Sequence, residues 1–392
     1  MVSVLRVNAA VAETLGSSYT PQMGRIYVDL INVYQSFSQA LAKLLCDNPA
    51  SVRSDYARNI RHIKQDILHL IEVYIAHSQQ QDARLLAENF VTPLLTVVLP
   101  DYHQSPPDAR DAQVLSLMTC VIERLQSTMT AQMPAVFMHL FKPTLDMITT
   151  NFTDYPDHRT NFFAMVQTIN TYCFEAFFSL SAQEFKMVLD CTFWAIRHTE
   201  RTVSETGLRI LEEMLRQISQ RPEVADPFYT MYYTAILREI FAVLTDTFHK
   251  AEFKLHAAIL RHLFDIVLTG RVRVPLWDSS FAAQAPPGFT NATWLAQYIN
   301  MLFASSFPSF TPSQIAVFVN RFLEPNQPLP TFKQHLRDFL VSIKEFSNGG
   351  QDNNNLYTEE AEAARAQQQA QLDEQRKLVP GLLKPSELPD DA

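Results

Sequence analysis

Tyr155–Ser181, YPDHRTNFFAMVQTINTYCFEAFFSLS, is the stretch on which the fold turns. A proline follows its first residue. Beyond it Phe162, Phe163, Val166, Ile169, Cys173 and Phe177 recur mostly at steps of three and four. That spacing lays them along one side of a helix, with the last of them opening the next helix. One helix cannot bury such a face alone, so neighbours must cover it. The rest of the chain supplies those neighbours by repeating the arrangement.

Upstream, Val2 to Leu15 reads as a helix with Val4, Val7, Val11 and Leu15 on one face and nothing before it to cover them. The pattern is that of an array interrupted rather than begun, since arrays carry polar caps. Thr20-Pro21 opens a long helix striped by Ile26, Leu30, Val33, Phe37, Leu41 and Leu44. Proline suits its first turn, where a missing N–H costs least. After Asn48-Pro49 a second long helix carries Tyr56, Ile60, Ile63, Ile67, Leu70 and Tyr74. Its other side bears Arg58, Arg61 and Lys64, read as a solvated face in preference to a basic docking patch. Further helices run from about Asp82 to Leu99, from Val114 to Leu125 and from Pro134, the last kinked by Pro143.

Downstream, four places have the spacing of a capping box: Ser181 with Glu184, Thr202 with Glu205, Thr311 with Gln314, and Thr331 with Gln334. Apolar stripes follow in order. Leu208, Leu211, Leu215 and Ile218 form one; Tyr233, Ile236, Ile240, Phe241, Leu244 and Phe248 form the next. A third, through Leu255, Ile259, Leu263, Ile266 and Val267, stops at Gly270. A loop rich in proline and alanine, Arg271 to Phe289, precedes helices near Thr293–Phe307, Pro312–Leu323 and Phe332–Phe346. The pairing predicts an all-α fold: an α-solenoid of about seven HEAT-type hairpins whose starts recur at roughly forty to sixty residues. The array should fill residues 1–347, with a linker at 348–355. A separate helix is expected at 356–377 and a mildly acidic, disordered tail at 378–392. The helix at 356–377 is rich in Ala, Gln and Glu and lacks a stripe that could join the stack.

Composition narrows function. A chain of 392 residues with 47% apolar residues can build a continuous core, and 8 glycines argue against a glycine-punctuated β protein. A net charge of −9 argues against nucleic acid and favours a basic partner surface. No apolar run is read as long enough to span a membrane, and no signal peptide opens the chain. Cys46, Cys120, Cys173 and Cys191 all fall within apolar helical patterns without CxxC spacing, and are read as buried, reduced thiols. The triplets Asn151-Phe152-Thr153 and Asn291-Ala292-Thr293 are then chance glycosylation matches. There is no phosphate-cradling loop, no HExxH and no GxSxG. No catalytic residue, metal ligand or cofactor site is assigned, and an enzyme is not expected.

The residues also carry a resemblance. MGRIYVDLINVY from Met23, LAENFVTPLL from Leu86, YPDHRTNFF from Tyr155 and FKQHLRDFLVSIKEF from Phe332 are its most specific runs. Through them the chain resembles the C-terminal part of the chromosome-region-maintenance nuclear export receptors, within the importin-β (karyopherin-β) superfamily. The resemblance implies a HEAT superhelix that carries leucine-rich-signal cargo with Ran-GTP. It further implies contacts with nucleoporins and Ran-binding proteins, none with nucleic acid or membrane, and shuttling between nucleus and cytoplasm through the nuclear pore. The family's signal groove and drug-reactive cysteine lie upstream of the matched region. Its last helix, which disfavours cargo binding without Ran, matches Leu356, Glu359, Glu360, Arg365, Leu372 and Arg376 in position. A HEAT scaffold such as a phosphatase regulatory subunit is the alternative of similar build. Within the array, Tyr155, Asp157, His158 and Arg159 are expected to face a partner, although Asp157 could simply cap the helix that starts there.

Overall fold

The computed structural model describes residues 2–79, 83–150, 153–246, 252–277 and 286–347. Among these the regular structure is helical and contains no strand. The expected linker, C-terminal helix and tail at 348–392 lie outside the described residues, as do Asn151, Phe152 and Phe248. The chain divides into two compact units, Met1–Ala225 and Asp226–Ala392.

The first unit is a double row of helices. One row holds α1 (Val2–Leu15), α3 (Asp55–His77), α5 (Gln113–Leu125), α7 (Pro156–Tyr172) and α9 (Arg201–Ser219), each packed on the next. The other holds α2 (Thr20–Asp47), α4 (Ala83–Gln104) and α6 (133–148), followed by a 3₁₀ turn at Phe174–Ser179 and by α8 (Ala182–Ile196). α2 packs on α3, α6 on α7 and α8 on α9, so the rows are joined by helical hairpins. Each helix touches its own partner and its row neighbours, which is the repeat architecture the stripes call for. The second unit continues with α10 (Pro222–Thr245), α11 (Phe253–Leu268), α12 (Asn291–Ser306), α13 (Pro312–Phe322) and α14 (Leu329–Ser347). α11 packs on α12 and α14, and α13 on both α12 and α14.

Most stripes are buried as read: Phe162, Phe163, Val166 and Ile169 on α7, and Leu208, Leu211, Leu215 and Ile218 on α9. α11 ends as expected, with Gly270 at φ +68° and the Arg271 N–H returning to Ile266 O at 3.0 Å. On α1 the helix buries Leu5, Ala9 and Ala12 against α3, while Val4, Val7, Val11 and Leu15 stay exposed, in line with the uncovered face read there.

Several expectations are corrected. On α2 the buried line is Met23, Tyr27, Tyr34, Ser38, Leu41 and Leu45, and Ile26, Leu30, Val33, Phe37 and Leu44 are only half-buried. The tyrosines win the inner face because their hydroxyls bond across the row: Tyr27 to Phe90 O, and Tyr34 to Asp101 Oδ2 at 2.8 Å. Tyr56 is exposed. Lys64 is buried, its ammonium 2.8 Å from Asp101 and 4.8 Å from the Tyr34 ring, so α2, α3 and α4 meet at one charged clasp. Arg61 bonds Asp108 O and Val52 O. These two cations are therefore fasteners rather than a solvated face. Arg337 on α14 is likewise buried, over the Phe253 ring. Cys46 is exposed and Cys120 half-buried; only Cys173 and Cys191 are buried, and all four are free.

Capping boxes form at Ser181–Glu184 and Thr311–Gln314. Thr202 sits inside α9, which starts one residue earlier with Glu200 as its cap, and Glu205 pairs with Arg209 instead. Thr331 is also inside its helix, because Pro330 fits the first turn of a helix begun at Leu329. Pro143, read as a kink, lies within α6. A wide π-turn at Phe137–Phe141 precedes it, with the Lys142 N–H reaching Phe137 O, five residues back. Widening moves the preceding carbonyls away from the proline ring. The same device recurs in α4, where a π-turn at Ala87–Val91 precedes Pro93.

By length and composition alone, Ala83–Gln104 is apolar enough to cross a membrane, contrary to the reading of the sequence. In the fold its Leu86, Phe90, Val91, Leu94, Val98 and Leu99 are buried among neighbouring helices.

Candidate functional site

The chain enters α7 through Tyr155, whose backbone is left-handed at φ +58° immediately before Pro156. Residues preceding proline favour extended backbone, and non-glycine residues seldom take positive φ, so this entry is strained. Tyr155 offers no side-chain cap; its hydroxyl instead donates to Asp108 Oδ1 at 2.6 Å. The Asp108 carboxylate, first through that bond and then with burial, pushes the Tyr155 phenol up to about 12.

The four expected residues divide. Asp157 is exposed in the first turn of α7, one position inside the helix, so it is not the cap; its charge faces the positive end of the helix dipole. His158 is half-buried with its ring edge-on to Tyr155 at 5.8 Å. Burial lowers its pKa to about 4, against a hydrogen bond to the Arg110 backbone that pulls the other way. Arg159 is 2% exposed, and its guanidinium donates to Asp154 O at 2.7 Å and lies 5.9 Å from the Trp194 ring centre. It is built into the wall rather than displayed, because a buried guanidinium needs partners inside the fold. Leu356, Glu359, Glu360, Arg365, Leu372 and Arg376 lie outside the described residues.

Two clefts meet at Tyr155, which lines both. The larger, about 840 Å³, lies between α2 and α4 and reaches the loop at Pro106 to Asp108. The smaller, about 550 Å³, is lined by His103, Arg110, Met138, Lys142, Asp146 and others. Arg110 staples the helices beneath it by donating to Tyr102 O, Pro143 O and, at 3.5 Å, His103 O. His103 and His139 stand edge to face with centres 5.2 Å apart, and burial, aided by the His103 charge, lowers the pKa of His139. Neither cleft follows from the stripes: the larger is walled by α2, α4 and the loop at Pro106 to Asp108, the smaller by α4, α6 and the residues before α7.

Asn291 is also structural, accepting from Leu276 N–H and donating to Val272 O and Val274 O, which fastens the loop after α11. Among the described residues no group of three or more His, Cys, Asp or Glu could hold a metal ion.

Paired helices in rows, with grooves and loop crests between them, define a helical-repeat protein of the kind that works by holding other molecules along its surface. The chain belongs to the CRM1 C-terminal family, whose model matches residues 22–348. It is 40% identical over 394 residues to "Protein EXPORTIN 1B" of Arabidopsis thaliana, covering 100% of this chain and 35% of that protein. It is 39% identical over 392 residues to Exportin-1 of Schizosaccharomyces pombe, covering 99% and 36%. Against Exportin-1 of Drosophila melanogaster it is 37% identical over 391 residues, again covering 99% and 36%. The chain thus spans about a third of the length of these relatives.

Proposed function

We propose that this chain is the C-terminal, ring-closing portion of a nuclear export receptor. In this reading the receptor carries leucine-rich-signal cargo with Ran-GTP, meets nucleoporins and Ran-binding proteins, and shuttles between nucleus and cytoplasm through the nuclear pore. The observation that carries the reading is the match along the whole chain to proteins named exportin. It favours transport over the phosphatase-scaffold alternative. The work is binding, not catalysis.

The architecture supports a physical route. A row of helices that touch only neighbours stores small angular changes and has no single rigid core. Two ligands that favour one curvature bind cooperatively, and the coupling is reciprocal. A latch that favours another curvature weakens both. We assign that latch to 356–377, through Leu356, Glu359, Glu360, Arg365, Leu372 and Arg376, with the tail 378–392 beside it. Of the α7 entry, Asp157 and the outer parts of Tyr155 and His158 remain as partner-facing groups.

The test is a chimera in which this chain replaces the matching region of Schizosaccharomyces pombe Exportin-1. It should bind Ran-GTP and not Ran-GDP, and export a reporter bearing a leucine-rich signal. A folded chimera blind to Ran-GTP overturns the reading. Removing 356–392 from the chimera should tighten cargo binding without Ran; an unchanged affinity removes the latch alone.

A further inference from the structure

The Tyr27 hydroxyl does more than tie α2 to α4. It donates to Phe90 O and receives the Leu94 N–H. Those two groups stand four residues apart, and a regular helix joins such a pair to each other. A side chain of α2 therefore sits in the backbone ladder of α4. Packing holds it there: Tyr27 is 5% exposed, and its ring meets Phe90 edge to face at 4.9 Å.

The ladder is weak at this place for two further reasons. The π-turn at Ala87–Val91 spreads it just before, where Ala87 O takes both the N–H and the Oγ of Thr92. Pro93 then brings no N–H at all. Inserted side chains, π-turns and prolines are each causes of helix kinks, and α4 has all three between Ala87 and Leu94. Beyond them the far half of α4 borders open space: Thr96, Val97, Pro100 and Asp101 face α2 across the cleft of about 840 Å³. α6 has the π-turn and the proline as well. There, however, the tyrosine from the preceding helix, Tyr102, bonds Thr144 Oγ1 at 2.7 Å, a side-chain contact that leaves the ladder alone.

We propose that Tyr27 is a removable wedge that sets the angle between the two halves of α4. Seated, it bridges Phe90 O and Leu94 N–H and keeps α4 in the angle seen here. Withdrawn, it lets the two groups close their own bond, and the half from Leu95 to Gln104 swings about Leu94 with the cleft as its clearance. Withdrawal requires α2 to draw back from α4, so the spacing of the row and the bend of one helix change together. A ligand that spans α2 and α4 then biases the bend by its preference for one spacing. No step depends on the transport reading.

The test is a distance between two nitroxide labels, measured by double electron–electron resonance on the full 392-residue chain. The labels go on exposed positions, Gln22→Cys on α2 and Gln104→Cys at the end of α4, with Cys46→Ser and Cys120→Ala removing the accessible native thiols. Tyr27→Phe keeps the ring on Phe90 and takes away only the hydroxyl. It should move the main distance by about 3–5 Å, the reach of a swing of roughly 20° over the stretch from Leu94 to Gln104 at about 1.5 Å per residue. The Leu94 amide, followed by hydrogen exchange read at single residues, should stay protected in that variant, because Phe90 O takes over as its acceptor. An ordinary tie between helices behaves otherwise: the distance stays in place, or Leu94 exchanges at least about tenfold faster, and either result overturns the proposal. Pro93→Ala returns an N–H to the ladder and should shift the distance the same way with Tyr27 intact. Should Tyr27→Phe fail to fold, an unchanged distance in Pro93→Ala overturns the proposal equally.

Discussion

Single residues in this protein matter through what surrounds them. His158 is held neutral by burial, with its pKa lowered from 6.5 to about 4. The unfolded chain takes up that proton below about pH 6.5, and the folded chain not until about pH 4. Stability is therefore whole above the interval and lost as pH falls through it. Thermal melts at pH 7.5 and pH 5 should show a drop in Tm that shrinks in His158→Gln; an identical drop in the variant would place the acid sensitivity elsewhere. Gly207 is a second such residue. A Cβ there would sit 2.8 Å from Ala195 Cβ and 2.9 Å from Ile196 N, a backbone atom that cannot swing aside. Overpacking of about 1–3 kcal/mol should outweigh the roughly 1 kcal/mol of helix propensity gained. Gly207→Ala should thus lower Tm, and a rise would mean that α8 and α9 can part at no cost. Arg159 shows why the partner surface could not be read residue by residue: the run DHR places three polar groups in one helical turn, and only the packing of Trp194 decides which of them turns inward.

At the level of elements, the sequence was informative where only one side of a helix is apolar. α5 and α9 carry a single greasy face, so their buried residues follow from spacing alone. α2 lies between a partner and a row neighbour and has apolar residues on two flanks, so periodicity could not choose its phase. What settles it is the hydrogen bonding of Tyr27 and Tyr34 to α4, which no stripe reveals. The clasp of Tyr34, Lys64 and Asp101 is therefore a strong test of how the hairpins hold together. Lys64→Met leaves the Asp101 carboxylate short of its cation. The expected loss is about 2–3 kcal/mol, at or below the low end for breaking a buried pair because Asp101 still reaches water. Adding Asp101→Leu should recover part of it. A denaturant titration showing no loss in the single variant would reduce the clasp to a surface ion pair.

Over the whole molecule, the all-α class was legible from the stripes, whereas the clefts were not; the linker, helix and tail read at 348–392 lie outside the described residues. In the second unit the core condenses on rings: Phe339 stacks on Phe303 at 4.5 Å and touches Phe307, Phe310, Phe318 and Phe322. Phe339→Ala should cost about 3–5 kcal/mol, the range for emptying an aromatic site in a core. Because repeats support each other only locally, its loss of hydrogen-exchange protection should concentrate in α11 to α14. Uniform loss along all 392 residues would instead describe one cooperative block. The wide turns ahead of Pro93 and Pro143 bear on how such a chain can be shortened. They stand about fifty residues apart in helices of the same row. Excising residues 93–142 would splice Thr92 directly onto Pro143, joining the front of one wide turn to the back of the next, and would take away Asp101, the partner of Tyr34 and Lys64.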